Sequence, residues 1–295
     1  ESRLQIRVIN GEGFVEPIRI NELMAENQGS HLDGDNNAVD WIELHNPRSE
    51  QVNLEGFSLT DDPNVPNKWI FPSINIPAGE YLVVYAGSPV IDGIVQGDYR
   101  DAKGFYHFNF NLSASGEFLA LVRPNGNTYE SVFEPAFPSQ FTDISYGLNQ
   151  RGQWNYYAPP SPGRANGNGF DGMIKDTLFS VDRGFYDAPF QVTISTEEEG
   201  TSIHYTLDGS QPSVSQGQIY LSPIPINTTT TLRAIAFRDG WQPTNVDTHT
   251  YIFVDDVARQ PAAPQGWPDN WGTNSEVNSN DGAGNGTIPA DYEMD

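Results

Sequence analysis

The residues of this sequence best suited to chemistry form one short acidic run, Asp33-Gly34-Asp35-Asn36-Asn37-Ala38-Val39-Asp40. Oxygen ligands alternating around a glycine are what a Ca²⁺ ion needs, because it takes six to eight carboxylate, amide or carbonyl oxygens. Asp33, Asp35, Asn37 and Asp40 are therefore the candidate calcium ligands. The run departs from the EF-hand pattern, since no Glu closes the loop at its twelfth position and no helical sequence flanks it. A second explanation stays open: Asp and Asn favour turns through local side-chain bonding and tolerate left-handed backbone. Asp61-Asp62-Pro63-Asn64 and Asp208-Gly209-Ser210 read the same way, with Asp61 and Asp208 accepting backbone N–H bonds. Trp154 and Tyr156 are candidate glycan contacts, because alternate residues of a strand share a face and aromatic faces suit sugar rings. Core packing is their alternative role, and it is the expectation for Trp41 and Trp69 inside apolar strand patterns.

No catalytic residue is assigned. The sequence has no Gly-x-Ser-x-Gly elbow, and Ser113-Ala114-Ser115-Gly116 lacks a nearby histidine. The five histidines, at 31, 45, 107, 204 and 249, form no His-x-x-x-His or His-x-x-Glu-His pair, so no zinc site is expected. No glycine-rich run combines with Lys-Ser/Thr to cradle phosphate. Carboxylate pairs abound in so acidic a chain, so a pair alone does not indicate a glycosidase. With no cysteine, disulfides and thiolate chemistry are excluded.

Fifteen basic against 39 acidic residues give a net charge of −24, which repels nucleic-acid phosphate and anionic lipid. Neither a nucleic acid nor a membrane is an expected partner. No apolar run reaches the roughly 18 residues of a membrane span. The sequence starts at Glu1 without a methionine or a signal-like stretch, and it reads as a segment cut from a larger secreted or cell-surface protein.

Positioning these residues falls to strands. Gly (28) and Pro (22) are dense, β-branched and aromatic residues are plentiful, and helical periodicity is missing. Residues 1–15 hold an alternating run, Leu4, Ile6, Val8, read as the end of a preceding module or a linker. Residues 16–168 carry strand-sized stretches at 18–24, 40–45, 57–60, 81–86, 117–122 and 128–133, separated by turns such as Pro77-Ala78-Gly79 and Pro124-Asn125-Gly126. Pro159-Pro160-Ser161-Pro162-Gly163 through Gly169 cannot sustain a ladder and mark a boundary. Residues 175–255 carry a second set, at 178–181, 190–195, 202–207, 231–237 and 248–254. Residues 256–295 lose the alternation and read as a flexible linker to a downstream module, with Trp267 and Trp271 docking on that neighbour. The expectation is all-β: two Ig-like antiparallel sandwiches in tandem followed by a linker.

The first set resembles the bacterial, secreted form of the lamin-tail domain. Its marks are Ile20-Asn21-Glu22-Leu23-Met24-Ala25, Asp40-Trp41-Ile42-Glu43-Leu44-His45-Asn46, Leu54-Glu55-Gly56-Phe57-Ser58-Leu59-Thr60-Asp61 and Lys68-Trp69-Ile70-Phe71-Pro72. Ile76-Pro77-Ala78-Gly79-Glu80-Tyr81, Phe110-Asn111-Leu112-Ser113-Ala114-Ser115-Gly116-Glu117 and Ser161-Pro162-Gly163-Arg164-Ala165-Asn166 complete it. The second set is similar to the Ig-like module at the C-terminus of chitobiases and β-hexosaminidases, through Gly184-Phe185-Tyr186, Ile203-His204-Tyr205-Thr206-Leu207-Asp208-Gly209-Ser210 and Leu232-Arg233-Ala234-Ile235-Ala236-Phe237. The tail from Gly266-Trp267-Pro268 to Asp291-Tyr292-Glu293-Met294-Asp295 resembles the lead-in of spore-coat-protein-H-like kinase modules, which would place any catalytic module beyond it. These resemblances imply a non-enzymatic structural and interaction region, with other modules of the parent, a surface protein or a polysaccharide as partners. The alternative is a carbohydrate-binding accessory region of an exoenzyme.

Overall fold

A strand with one face on a core and the other beneath a loop is apolar on one face and selectively polar on the other. Trp41-Ile42-Glu43-Leu44-His45 is built this way: Ile42 and Leu44 enter the main core, while Trp41, Glu43 and His45 take the opposite face. The computed structural model describes residues 15–88, 90–91, 94–95, 99–259, 268, 270–273 and 287–290. Residues 1–14 and Trp267, for which the sequence raised expectations, lie outside the described residues, as does the side chain of Trp271. Contacts divide the chain between Asp171 and Gly172.

The first unit is a sandwich of a six-stranded and a four-stranded sheet. The larger sheet runs, from edge to edge, His107–Phe108, Tyr81–Ala86, Trp41–His45, Arg19–Met24, Ser145–Leu148 and Trp154–Tyr157. All of its pairs are antiparallel except His107–Phe108, which runs parallel to Tyr81–Ala86. The smaller sheet orders Tyr129–Phe133, Leu119–Val122, Ser58–Thr60 and Trp69–Ile70. Between them Ile20, Leu23, Ile42, Leu44, Leu59, Trp69, Phe71, Val84, Phe108 and Leu121 form the core. A bulge at Asn21 changes the register, so that Ile20 opposes Leu44 while Glu22 opposes Glu43. It sets two glutamates side by side on the outer face.

The second unit has a five-stranded sheet: Gly184–Tyr186, Asp247–Phe253, Thr230–Phe237, Ser202–Thr206 and Gln218–Ile219. Leu232, Ala234 and Ala236 alternate inward against Val192, Ile194, Ile224, Ile226 and Tyr251. The single strand expected at 190–195 is two. Phe190–Val192 pairs with Ile224–Ile226, and Ile194–Ser195 pairs with Leu178–Phe179. Alternation shows which side chains face inward but not which neighbour supplies the hydrogen bonds. The last strand ends at Phe253 in a one-turn helix, Val254–Ala258. The tail read as wholly unstructured holds an antiparallel pair, Asn270–Thr273 with Thr287–Pro289.

Both units are Ig-like antiparallel β-sandwiches, as the strand pattern predicts.

Candidate metal centre and the loops that frame it

The acidic run folds as a turn held by Asp33. Its Oδ1 accepts the backbone N–H of Asp35 at 2.9 Å and of Asn37 at 2.7 Å, and Asn36 sits in the left-handed region at φ 65°. This is the local bonding that makes Asp and Asn turn residues. The four candidate calcium ligands, Asp33, Asp35, Asn37 and Asp40, all line one pocket of about 340 Å³, together with Tyr99, His107 and Asn111. Their carboxylates and amides face different partners. Asp35 Oδ1 accepts from Ala102 N at 3.0 Å, and Asn37 Nδ2 donates to Asp33 Oδ2 at 3.3 Å. Asp40 Oδ1 accepts from Asn27 N at 3.4 Å, and burial pushes the Asp40 carboxyl above its ordinary range despite that bond.

Two residues that sequence reasoning passed over complete the cluster. Asp33, Asp101 and His107, all buried, each offer a ligand atom within 4.8 Å of the others. His107 Nε2 lies 3.3 Å from Asp101 Oδ2 and 3.9 Å from Asp33 Oδ2. The expectation that the scattered histidines build no zinc-type site rested on local spacing, and these ligands are not local. His107 comes from the parallel edge strand and Asp101 from the turn before it, while Asp33 comes from the loop after the first strand. No spacing rule joins positions 33, 101 and 107. An isolated His flanked by strand residues was the one signal available.

Asp101 is fixed by its surroundings. Burial alone would raise its pKa, but the N–H groups of Phe105 and Gly34, the His107 ring and Lys103 N hold the carboxyl below its usual range. A Cβ at Gly34 would lie 2.1 Å from Asp101 Oδ1, so any side chain there would push the Asp101 carboxylate out of this position. Beside the cluster, Tyr85 hydroxyl meets His31 Nε2 at 2.8 Å. Burial, then the charges of Asp101 and Asp33, push the Tyr85 phenol up to about 12.

A second buried polar cluster lies on the same outer face. Glu22 accepts from the Ser145 hydroxyl and from Ser161 N at 3.0 Å and its hydroxyl at 3.2 Å, while Glu43 accepts from Asn21 Nδ2 at 2.8 Å and from Gly163 N. Asn166 closes the loop, donating to Leu148 carbonyl at 2.9 Å and accepting from Ser161 hydroxyl at 2.9 Å. Burial drives both carboxyls up, Glu43 to about 8, with Glu22 adding repulsion. These contacts explain three of the sequence blocks: the glutamates of the first two strands clasp the loop 161–166. Asn46 does the same elsewhere, its Nδ2 bonding the carbonyls of Glu50, Ile76 and Pro77.

Residues 15–134 match the Lamin Tail Domain family model. Residues 181–248, within the second unit, match the Chitobiase/beta-hexosaminidase C-terminal domain. No curated protein matches the chain. The tail from Gly266 falls outside both matches. The loop Ser161–Asn166 lies beyond the lamin-tail match in sequence, yet it is bonded to that domain's two glutamates.

Asp208 accepts from Ser210 N at 3.0 Å and its hydroxyl at 2.6 Å, as a turn residue should. Asp61 does not: its carboxylate pairs with Lys68 Nζ at 2.5 Å, and Asp62 Oδ1 takes the turn bond from Asn64 N. The ammonium of Lys68 also lies 5.0 Å from the centre of the Phe110 ring, so a contact from outside the turn and not the turn itself occupies the Asp61 carboxylate. Trp41 and Trp69 are core. Tyr146 lies against both glycan candidates, stacked on the half-buried Trp154 at 5.3 Å and tilted on the buried Tyr156 at 4.9 Å, and Phe133 packs on Trp154 at 4.6 Å.

Proposed function

We propose that this chain is a non-catalytic accessory region of a larger secreted or cell-surface protein, in which the two Ig-like sandwiches space and present neighbouring modules and contact surface partners. The observation that carries the reading is the use made of the two most buried glutamates. Glu22 and Glu43, the pair nearest in chemistry to a general acid and base, are bonded to Ser145, Ser161, Asn21 and Gly163 and hold a loop down. The two family matches support it, since both are to Ig-like accessory domains. An extracellular setting accords with the chitobiase-type match and with a charge of −24.

The test is a turnover screen of the purified chain against glycosidic, phosphoryl and acyl substrates. No turnover above the buffer blank is expected. Turnover that disappears in Glu22→Gln or Glu43→Gln would overturn the reading. A second reading, polysaccharide binding, is favoured by the chitobiase-type match. It predicts retention on an insoluble cell-wall or marine polysaccharide at physiological salt, weakened by Trp154→Ala in a protein that still melts cooperatively; passage through every such matrix removes it.

A further inference from the structure

The Asp33–Asp101–His107 cluster sets two buried carboxylates against a single imidazole nitrogen. His107 Nδ1 lies 3.1 Å from the Ala86 carbonyl, which only accepts, so Nδ1 carries a proton and Nε2 is the ring nitrogen left to meet the carboxylates. Nε2 then faces two carboxylate oxygens, Asp101 Oδ2 and Asp33 Oδ2. All three residues are buried, His107 being 4% exposed, and among the described residues no Lys or Arg side chain pairs with either carboxylate. Two buried carboxylates meeting at one ring nitrogen need a positive charge between them, either a proton on Nε2 or a metal ion.

The surroundings hold each ligand for that purpose. Asp33 keeps Oδ1 on the N–H groups of Asp35 and Asn37, and Asp101 keeps Oδ1 on those of Lys103 and Phe105. The second oxygen of each carboxylate is turned toward Nε2, Asp101 Oδ2 while also accepting from Gly34 N at 2.6 Å and Asp33 Oδ2 while also accepting from Asn37 Nδ2 at 3.3 Å. The Ala86 carbonyl orients the ring. Backbone and carbonyl partners of this kind direct metal ligands and fix the histidine tautomer.

Distances suit a small ion. Bonds of about 2.0–2.1 Å in tetrahedral geometry separate ligand atoms by about 3.4 Å. The Nε2–Asp101 distance of 3.3 Å already has that value, and the 3.9 Å to Asp33 needs only a small closure. The donor set chooses the class: an imidazole nitrogen is foreign to Ca²⁺ and Mg²⁺, and no sulfur is present to select Cu(I). We propose that Asp33 Oδ2, Asp101 Oδ2 and His107 Nε2 bind a divalent transition-metal ion, zinc as its representative, with the remaining position open to water from the adjoining pocket. The ion staples the 33–37 turn to the 99–107 segment, reinforcing the Gly34–Asp101 and Ala102–Asp35 bonds already joining them. The acidic run thus serves a metal through Asp33 alone, with partners distant in sequence.

The experiment titrates chelator-stripped protein in 150 mM salt with zinc, manganese or calcium, reading stoichiometry by calorimetry and stability by melting. Co²⁺ supplies a spectroscopic report of geometry. The expected result is one zinc per chain, a melting temperature that rises with the logarithm of free zinc, and visible Co²⁺ bands displaced by zinc. His107→Ala should weaken zinc by at least ~100-fold, more than loss of a ligand's outer partner costs. Should His107→Ala not fold, Asp33→Asn decides. Its retained Oδ1 keeps both turn bonds, while its amide donates to Nε2 in place of the ion. It should fold without metal and lose zinc binding. Unchanged zinc affinity in either variant would mean an adventitious ion on surface histidines, and calcium binding in preference to zinc would mean a different site. Either result, or no zinc binding at all, overturns the proposal.

Discussion

Replacing Glu43 with glutamine should remove a pH dependence of stability that the wild-type protein carries. Glu43 is fully buried, and burial, with added repulsion from Glu22, lifts its pKa from 4.5 to about 8. The folded state therefore holds a proton that the unfolded chain releases above pH 4.5. A raised carboxyl pKa gives stability that is complete below about pH 4.5, declines through the interval to about pH 8 and is lost above it. Each pH unit within that window is about 1.4 kcal/mol, so the contribution falls by about 3–4 kcal/mol between pH 5 and pH 8. Glutamine cannot ionise, and it can keep the clasp. Its carbonyl accepts from Gly163 N while its amide donates to the Asn21 amide oxygen, once that side chain is turned over, a choice that coordinates seldom fix. Urea unfolding of both proteins, followed by tryptophan fluorescence at half-unit pH steps, measures the difference. The advantage of Glu43→Gln should grow by about 3–4 kcal/mol from pH 5 to pH 8. Two parallel curves across that range would refute the buried, protonated clasp.

Three further substitutions test the packing that positions these features. Glu130 is buried and accepts from Ile18 N at 2.9 Å, from Arg48 at 2.7 Å and from Arg123, so Glu130→Ala should cost about 3–5 kcal/mol in urea unfolding, because two half-buried arginines lose their shared anion. Gly116 has φ +87° and a Cβ there would meet the Phe137 carbonyl oxygen at 2.1 Å, so Gly116→Ala should lower stability by roughly 2–4 kcal/mol, read as a depressed melting temperature. In the second unit the Tyr251 hydroxyl donates to the Val181 carbonyl at 2.9 Å, and Tyr251→Phe should cost about 1 kcal/mol by the same unfolding assay.

Strands whose apolar residues continue without interruption were legible from sequence. Tyr81-Leu82-Val83-Val84-Tyr85-Ala86 is a strand over its whole predicted length. Ser145–Leu148 was not read, because Ser-Tyr-Gly-Leu is short and takes its stability from pairing with Arg19–Met24 and Trp154–Tyr157. Asn270–Thr273 and Thr287–Pro289 lack apolar alternation altogether, so nothing in their composition announces a pair. The site divides along the same line. Asp33 was legible because its turn chemistry is local, within four residues. Asp101 and His107 were not, because a parallel edge strand brings them to Asp33 across more than 65 positions. The bulge at Asn21, which alone brings Glu22 opposite Glu43, likewise leaves no trace in residue type.

The most direct test of the accessory reading is the turnover screen run on zinc-loaded protein, since an ion with an open position is the feature of this fold nearest to a catalyst. The account predicts rates equal to the buffer blank on glycosidic, phosphoryl and acyl substrates with zinc bound. Zinc-dependent turnover that vanishes in His107→Ala would contradict it.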